Sequence, residues 1–323
     1  MSFCDELSLA VTVIEQSDEL ALACHITPDG DALGSMLGLH HLAIAQGRRS
    51  TASWPEPFTV ARHYRSIPGT DLAVAPSGFP AHPKVMLTFD CGSLGRLHEL
   101  GEPARWARAN AELIVLDHHF TNDRYGTINA IDVDAAASAV VVRELARALG
   151  WPLNRDAALC LYAGLVTDTG RFQFSSTTPA VFALAEELAG FDLPIAQLNR
   201  ELFEEHRFAY LQVAARAIAR ATLDVDRSFV STWVTQLDLA EFGVAYEEIE
   251  GLIDWISSTT EAEIACVCKE AGDGFRVSLR SKSAVDVGSM AIALGGGGHR
   301  LAAGFTMAAP VEDVLAAVRA HLR

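Results

Sequence analysis

The sequence predicts an α/β protein of two domains: an N-terminal parallel-sheet domain with helices on both faces, then a smaller C-terminal mixed-sheet α/β domain. Three observations carry this reading. Residues 20–25 (LALACH), 85–90 (VMLTFD) and 113–117 (LIVLD) are short apolar runs separated by helix-like stretches, the pattern of strands buried on both sides. With 323 residues, half of them apolar and a fifth charged, the chain can bury two ordinary cores. Beyond residue 207 the rhythm changes to strand-like segments alternating with short helices.

In order, a helix over residues 5–16 leads to the first strand, which ends at His25 and passes through the loop ITPDGD into a helix over 32–46. Strands 85–90 and 113–117 follow, each ending on a carboxylate, Asp90 and Asp117. Helices are expected over 135–149, 155–166 and 179–189, the second running into Thr167-Asp168-Thr169-Gly170. Gly190 and Pro194 interrupt the pattern, so the first domain is set at 1–190, a linker at 191–207 and the second domain at 208–323. There, strands are expected at 220–225, 229–235, 262–268 and 275–280, with helices at 246–256 and 287–294. A run of glycines, Gly295 to Gly298, then precedes RLAAGFTM.

Lys plus Arg is 25 against 41 Asp plus Glu, a net charge of -16, so the chain repels polyanions and a long duplex partner is excluded. A short anionic substrate stays open, because carboxylates committed to metals are neutralised locally. The six cysteines show no CxxC spacing and read as reduced, packed thiols. The start, MSFCDELSLA, lacks the features of a signal peptide and no apolar run reaches membrane-spanning length, so a cytoplasmic protein without membrane contact is expected.

Four constellations carry chemistry. His25-x-x-x-Asp29-x-Asp31 lies in a loop tightened by Pro28 and Gly30, aiming three side chains into one crevice; the other reading has Asp31 cap the helix beginning at Ala32. Asp90 at a strand end is either a turn former or a ligand. Asp117-His118-His119 follows a buried strand and points adjacent rings in different directions, one suited to ligation and one to acid chemistry. The pair His40-His41 has no carboxylate before it and is assigned to packing or solvent. Asp168 ends an apolar helix, where it opposes the helix dipole unless a cation compensates. Beyond the carboxyl ends of parallel strands such groups share one crevice. Mixed imidazole and carboxylate ligation suits Mn²⁺, with Mg²⁺, Co²⁺ or Zn²⁺ as alternatives, and the number of groups suits two ions sharing a bridging carboxylate. In the second domain, Gly295 to Gly298 and His299 form either an anion cradle of bare backbone N–H groups or a flexible linker, and Arg280 with Ser281 could hold a phosphate.

HITPDGDALGS, the strand-end Asp90, DHH, TDTGRF and GGGGHRLAAGF occur in the order found in the DHH phosphoesterase superfamily, and from about residue 25 to 306 the chain resembles its nanoRNase/pAp phosphatase branch with a DHH-associated C-terminal domain. The resemblance implies a metal-dependent hydrolase in which His25, Asp29 and Asp90 hold one ion and Asp31, Asp90, His118 and Asp168 the other. It further implies that His119 contacts the phosphate or leaving oxygen and that Asp117 orients the histidine pair. Arg280, Ser281, Gly296, Gly297, Gly298 and His299 would bind substrate. The turn CGSLGRL after Asp90 departs from many relatives and leaves the role of Arg96 open. Implied substrates are short RNA oligonucleotides and pAp, with pApA or cyclic di-AMP as alternatives, and a homodimer is an expectation of the same kind. Pyrophosphatase, exopolyphosphatase, RecJ-like exonuclease and non-catalytic sensor readings fit less well, the last because no ligand position is lost.

Overall fold

Alternate residues of a strand face opposite ways, and in the first sheet both sets are apolar, so the sheet must be covered on both sides. In the computed structural model, which describes residues 1–322, this sheet belongs to the unit Met1–Glu204. The elements run α1 (Phe3–Glu15), β1 (Glu19–Cys24), α2 (Gly30–Ala45), β2 (Arg49–Ser53), β3 (Val85–Phe89), α3 (Gly101–Asn110), β4 (Glu112–Asp117) and β5 (Ile128–Ile131). They continue as α4 (Ser138–Ala148), α5 (Arg155–Asp168), α6 (Pro179–Ala189) and α7 (Ile195–Phe203). All strands are parallel, in the order β2-β1-β3-β4-β5. Leu20, Leu22, Leu87, Phe89, Ile114 and Leu116 pack into a core that includes residues of α2, α4 and α5, while Ala21, Ala23, Met86, Leu113 and Val115 pack with Leu97, Leu100 and α3. Because β1 lies between β2 and β3, the crossovers leave it in opposite directions, opening a crevice past the carboxyl ends of β1 and β3.

α2 and α5 cross closely because Gly30, Gly34 and Gly38 recur every fourth residue on one face of α2. A Cβ on Gly34 would lie 2.3 Å from the carbonyl oxygen of Cys160, and one on Gly164 would lie 2.7 Å from Asp31 Oδ1. The absence of side chains therefore brings the start of α2 and the end of α5 together. The segment 191–207, expected to be a linker, contains α7, whose Leu198 and Leu202 are buried in the first core.

The second unit, from Glu205, holds α8 (Phe208–Arg220), β6 (Thr222–Asp224), β7 (Phe229–Val234), α9 (Gln236–Phe242), α10 (Leu252–Ser257), β8 (Ile264–Ala271), β9 (Gly274–Ser281), α11 (Val287–Ala293), β10 (Gly297–His299), β11 (Ala302–Met307) and α12 (Val311–Ala320). Its sheet is mixed, in the order β10-β11-β9-β8-β7-β6, with β7 and β8 the parallel pair. One face packs with α8 and α10 and the other with α11 and α12. The expected α/β class and both sheet types are found.

Several sequence-derived boundaries shift for local reasons. The strand expected from 220 begins after α8, which runs to Arg220, and the helix expected over 246–256 divides into a 3-10 turn, Tyr246–Ile249, and α10. The glycine run is neither a linker nor an open loop. Gly297 and Gly298 pair with Gly304 and Ala303 in an antiparallel ladder, and a Cβ on Gly296 or Gly298 would meet the β11 backbone at 2.1 and 2.6 Å. Two of its N–H groups, those of Gly295 and Gly296, donate to Ile292 and Ala291 at the end of α11. The six cysteines are free, with only Cys4 exposed. Among the described residues no helix is long and apolar enough to cross a membrane.

Candidate metal centre

His25 follows the last residue of β1, Asp90 follows β3, and Asp117 ends β4, so three neighbouring parallel strands deliver their terminal side chains to one edge. The loop after β1 turns at Thr27, where φ is +48°, and is fixed by the N–H of Ile26 donating to the carbonyl of Arg96 (3.0 Å). Arg96 thus supports the His25 loop through its backbone. Asp29 is the N-cap of α2, accepting the N–H of Ala32 at 3.0 Å. Asp31 lies inside the first turn and caps a different helix: its carboxylate accepts the N–H groups of Ser138 (2.5 Å) and Ala139 (3.0 Å) at the start of α4, and the hydroxyl of Ser35 (3.0 Å). The capping alternative for Asp31 on α2 is therefore replaced by capping through space.

Asp90 is buried, with φ +52° in the left-handed region that non-glycine residues seldom adopt. Its Oδ2 lies 3.6 Å from His25 Nε2, and His25 Nε2 lies 3.8 Å from Asp29. Its Oδ1 lies 3.5 Å from His118 Nε2, which in turn lies 3.1 Å from Asp168 and 3.9 Å from Asp31. Two groups, His25/Asp29/Asp90 and Asp31/His118/Asp168, each hold ligand atoms close enough for one ion, and Asp90 faces both.

The imidazoles have the orientation that ligation requires. His25 Nδ1 donates to the carbonyl of Ile26 (2.8 Å) and His118 Nδ1 to that of Ala135 (3.1 Å), which directs Nε2 of each ring at the carboxylates. Charge balance argues the same way. Burial, reinforced by Asp90 and Asp168, pushes the Asp31 carboxyl well above its usual range. For Asp90 burial acts upward as well, but His119, His118 and His25 overcome it and hold the group well below. His118 is raised well above its ordinary value despite burial, by Asp168 and Asp90. Imidazoles and carboxylates thus balance one another's charge at this site, a balance that a bound cation would take over. The donor set fits divalent metal ions.

Asp117 is saturated by protein donors. Oδ1 accepts the N–H groups of His118 (2.7 Å) and His119 (3.2 Å) and the ring Nδ1 of His119 (2.8 Å), while Oδ2 accepts Asn122 Nδ2 (2.5 Å). It orients the ring of His119 directly and that of His118 only through the backbone. His119 is raised above its ordinary value against burial, by Asp90 and Asp117, so it can carry a proton.

In the second unit Ser281, expected to face substrate beside Arg280, is buried instead; its hydroxyl donates to Glu263 (2.9 Å) and accepts the N–H of Val285 (3.2 Å). Alternation along β9 puts it on the face opposite Arg280. Gly296 likewise spends its N–H on α11, which leaves Arg280, Gly297, Gly298 and His299 as the expected contacts. Sequence reasoning missed Ser35, Asn122 and Ser138, whose hydroxyl donates to Asp90 Oδ1 at 3.0 Å. Only the Ser at the start of an apolar helical stretch, AAASAVVV, could have signalled the last.

Residues 19–165 match the N-terminal domain of the DHH family and residues 227–323 the DHHA1 domain. The chain is 30% identical over 311 residues to the bifunctional oligoribonuclease and PAP phosphatase NrnA of Thermus thermophilus, covering 93% of this chain and 89% of that protein. It is 27% identical to the protein of the same name in Bacillus subtilis, covering 91% of each. Among solved structures it resembles an exopolyphosphatase-related protein from Bacteroides fragilis, with a TM-score of 0.88, 20% identity and coverage of 98% and 95%. The parallel sheet with its carboxylate- and histidine-tipped strands, the mixed sheet behind it in sequence and these likenesses agree: the chain belongs to the DHH family, in the DHH plus DHHA1 arrangement.

Proposed function

We propose that this chain is a metal-dependent phosphoesterase that hydrolyses short RNA oligonucleotides and pAp, the substrates named for its NrnA relatives. The observation that carries the reading is Asp90, held in a left-handed backbone with one carboxylate oxygen toward His25 and the other toward His118. One ion would take His25, Asp29 and Asp90, and a second Asp31, Asp90, His118 and Asp168. Manganese suits this mixture of imidazole and carboxylate best.

When bound, the ions would supply Lewis acidity and an activated water. The chain's own part is positioning and proton handling. Ser138, Ser35 and the amide N–H groups of α4 fix the carboxylates before substrate arrives, so little reorganisation is needed during reaction. His119, its ring held by Asp117, would act as the proton donor to a phosphate or leaving oxygen. In the second unit Arg280, Gly297, Gly298 and His299 would bind the substrate.

The test is a substrate panel of two- to five-nucleotide RNA, pAp, pApA, cyclic di-AMP, pyrophosphate and long single-stranded DNA, each with Mn²⁺, Mg²⁺, Co²⁺ and Zn²⁺. Release from short RNA and pAp above the rest is expected. Asp90→Asn should bring turnover to background and lower the metal stoichiometry measured by calorimetry; retention of most activity refutes the bridging assignment.

A further inference from the structure

Arg280 is not alone among the basic residues on its face of the second sheet. Along β9, Phe275, Val277 and Leu279 enter the core while Arg276, Ser278 and Arg280 share the opposite face. Directly across, Lys269 of β8 pairs with Arg276, and β11 sets Ala302, Gly304 and Thr306 beside Arg280, Ser278 and Arg276 in turn. Gly297 of β10 lies against Gly304, and nothing stands within 4 Å of where its Cβ would be. The result is a strip floored by small residues on β11 and β10 and edged by cations on β9 and β8.

Two of the charges on this strip meet at one carboxylate. Lys269 is buried, with Nζ 2.5 Å from Glu250 Oε2, and the other oxygen of Glu250 lies 3.7 Å from Arg276 Nη1. The lysine takes the short contact and Arg276, about two-fifths exposed, keeps most of its fork of donors. Arg280 Nη1 donates to the carbonyl of Leu279, and its buried Nε has no hydrogen-bond partner. Lys269 and Arg276 thus share Glu250, and Arg280 lies on the same face of β9, a grouping of positive charge in a chain of net charge -16. Burying a lysine costs free energy unless it is paired, and here the short contact to Glu250 supplies that pairing. Lys269 anchors Glu250, and Glu250 steadies Arg276.

We propose that Arg276, seated by the Lys269–Glu250 pair, is a second phosphate-binding point that engages a phosphate of an oligonucleotide beyond the one held at Arg280. The inference rests on the phosphoesterase reading above and adds a length preference to it. Four residues of antiparallel strand separate the two arginines, roughly 13 to 14 Å between Cα atoms. That span exceeds one sugar–phosphate repeat, so pAp and a dinucleotide reach only one of them and a 5'-phosphorylated trinucleotide reaches both. Lys269 and Glu250 are positioning residues, and Arg276 makes the contact.

The experiment compares the parent protein with Arg276→Ala and Arg276→Lys on pAp, a dinucleotide and a 5'-phosphorylated trinucleotide at several salt concentrations, after melting curves establish that the variants fold. In Arg276→Ala the ratio of trinucleotide to dinucleotide kcat/KM should fall about tenfold, through KM, with Lys restoring much of it. The slope of log KM against log salt for the trinucleotide should shrink by about 0.7, the loss of one single-strand phosphate contact. An equal loss on all lengths, or an unchanged ratio, overturns the proposal. Binding of the same oligomers by fluorescence anisotropy without metal reads the subsite apart from turnover. If the parent hydrolyses none of them, the phosphoesterase reading fails, while the dependence of binding on length and on Arg276 still decides this one.

Discussion

Gly34 is the position where a single methyl group tests whether helix packing sets the metal centre. In Gly34→Ala the new Cβ would stand 2.3 Å from the Cys160 carbonyl oxygen and 2.9 Å from the Gly164 nitrogen, both backbone atoms that cannot rotate away. Ordinary contact begins near 3.4 Å, so α2 and α5 must part by about 1 Å where they cross. Overpacking of this kind costs about 2 kcal/mol, a melting temperature lower by about 4 to 8 °C for a unit of this size. The functional effect should be larger than the stability effect. Asp31 rides on α2 and Asp168 on α5, and ligand distances tolerate only about 0.2 Å, so the site with His118 should lose affinity and turnover should fall about a hundredfold. Gly38→Ala is the internal comparison, because its Cβ meets the end of the Leu161 side chain at 3.0 Å rather than backbone. Calorimetric Mn²⁺ titration and thermal melting of both variants supply the readout. A Gly34→Ala protein that melts and binds metal like the parent, or a Gly38→Ala protein equally damaged, would refute the argument.

Ser138→Ala removes the hydroxyl that donates to Asp90 Oδ1 and should weaken metal binding about tenfold, as loss of a hydrogen bond behind a ligand does; an unchanged titration contradicts it. Asn122→Ala frees Asp117 Oδ2 and loosens the carboxylate that holds the His119 ring, so kcat should drop about tenfold with KM little changed; a change confined to KM would place Asn122 elsewhere in the reaction. The His40 ring, pushed down to about 4 by burial with a smaller push from His41, should make folding pH-dependent. An unfolded chain takes up that proton near 6.5 and the folded chain only near 4, so stability falls as pH drops through this window, by up to about 3 kcal/mol. His40→Gln, which keeps an acceptor or donor for Ser50, should flatten the denaturation midpoint between pH 6.5 and 4 relative to the parent; parallel pH curves would sink this assignment.

The first sheet was legible because strands buried on both faces have no polar alternation to blur them: LALAC, VMLTF and LIVLD stand out as apolar runs, and each hands a polar residue to the crevice. The edges were not. β2 reads RSTAS, a polar segment made into a strand by pairing with β1, and β5 has four residues, too few for periodicity to register. α7 and α12 escaped because each follows a proline at its N-cap that reads as an interruption when seen without the core it leads into. The glycine run shows the same limit. Its composition fits a cradle, a linker or a strand equally well, and only the approach of β11 selects the strand.

At the metal centre the residues legible from sequence are those whose chemistry has few other uses, a histidine or an aspartate where a buried strand ends. Those that stayed hidden are small neutral residues that occur everywhere. Asp31 shows why this separation is physical. Its sequence neighbours suggest a cap for its own helix, yet Asp29 takes that position and Asp31 is drawn to the N–H groups of α4, a hundred residues on. A carboxylate so held, with Gly164 pressed against it, cannot rotate to suit an incoming ion. The ion must instead fit a geometry set by how α2, α4 and α5 pack, so residues far from the strand ends govern affinity as firmly as the ligands do.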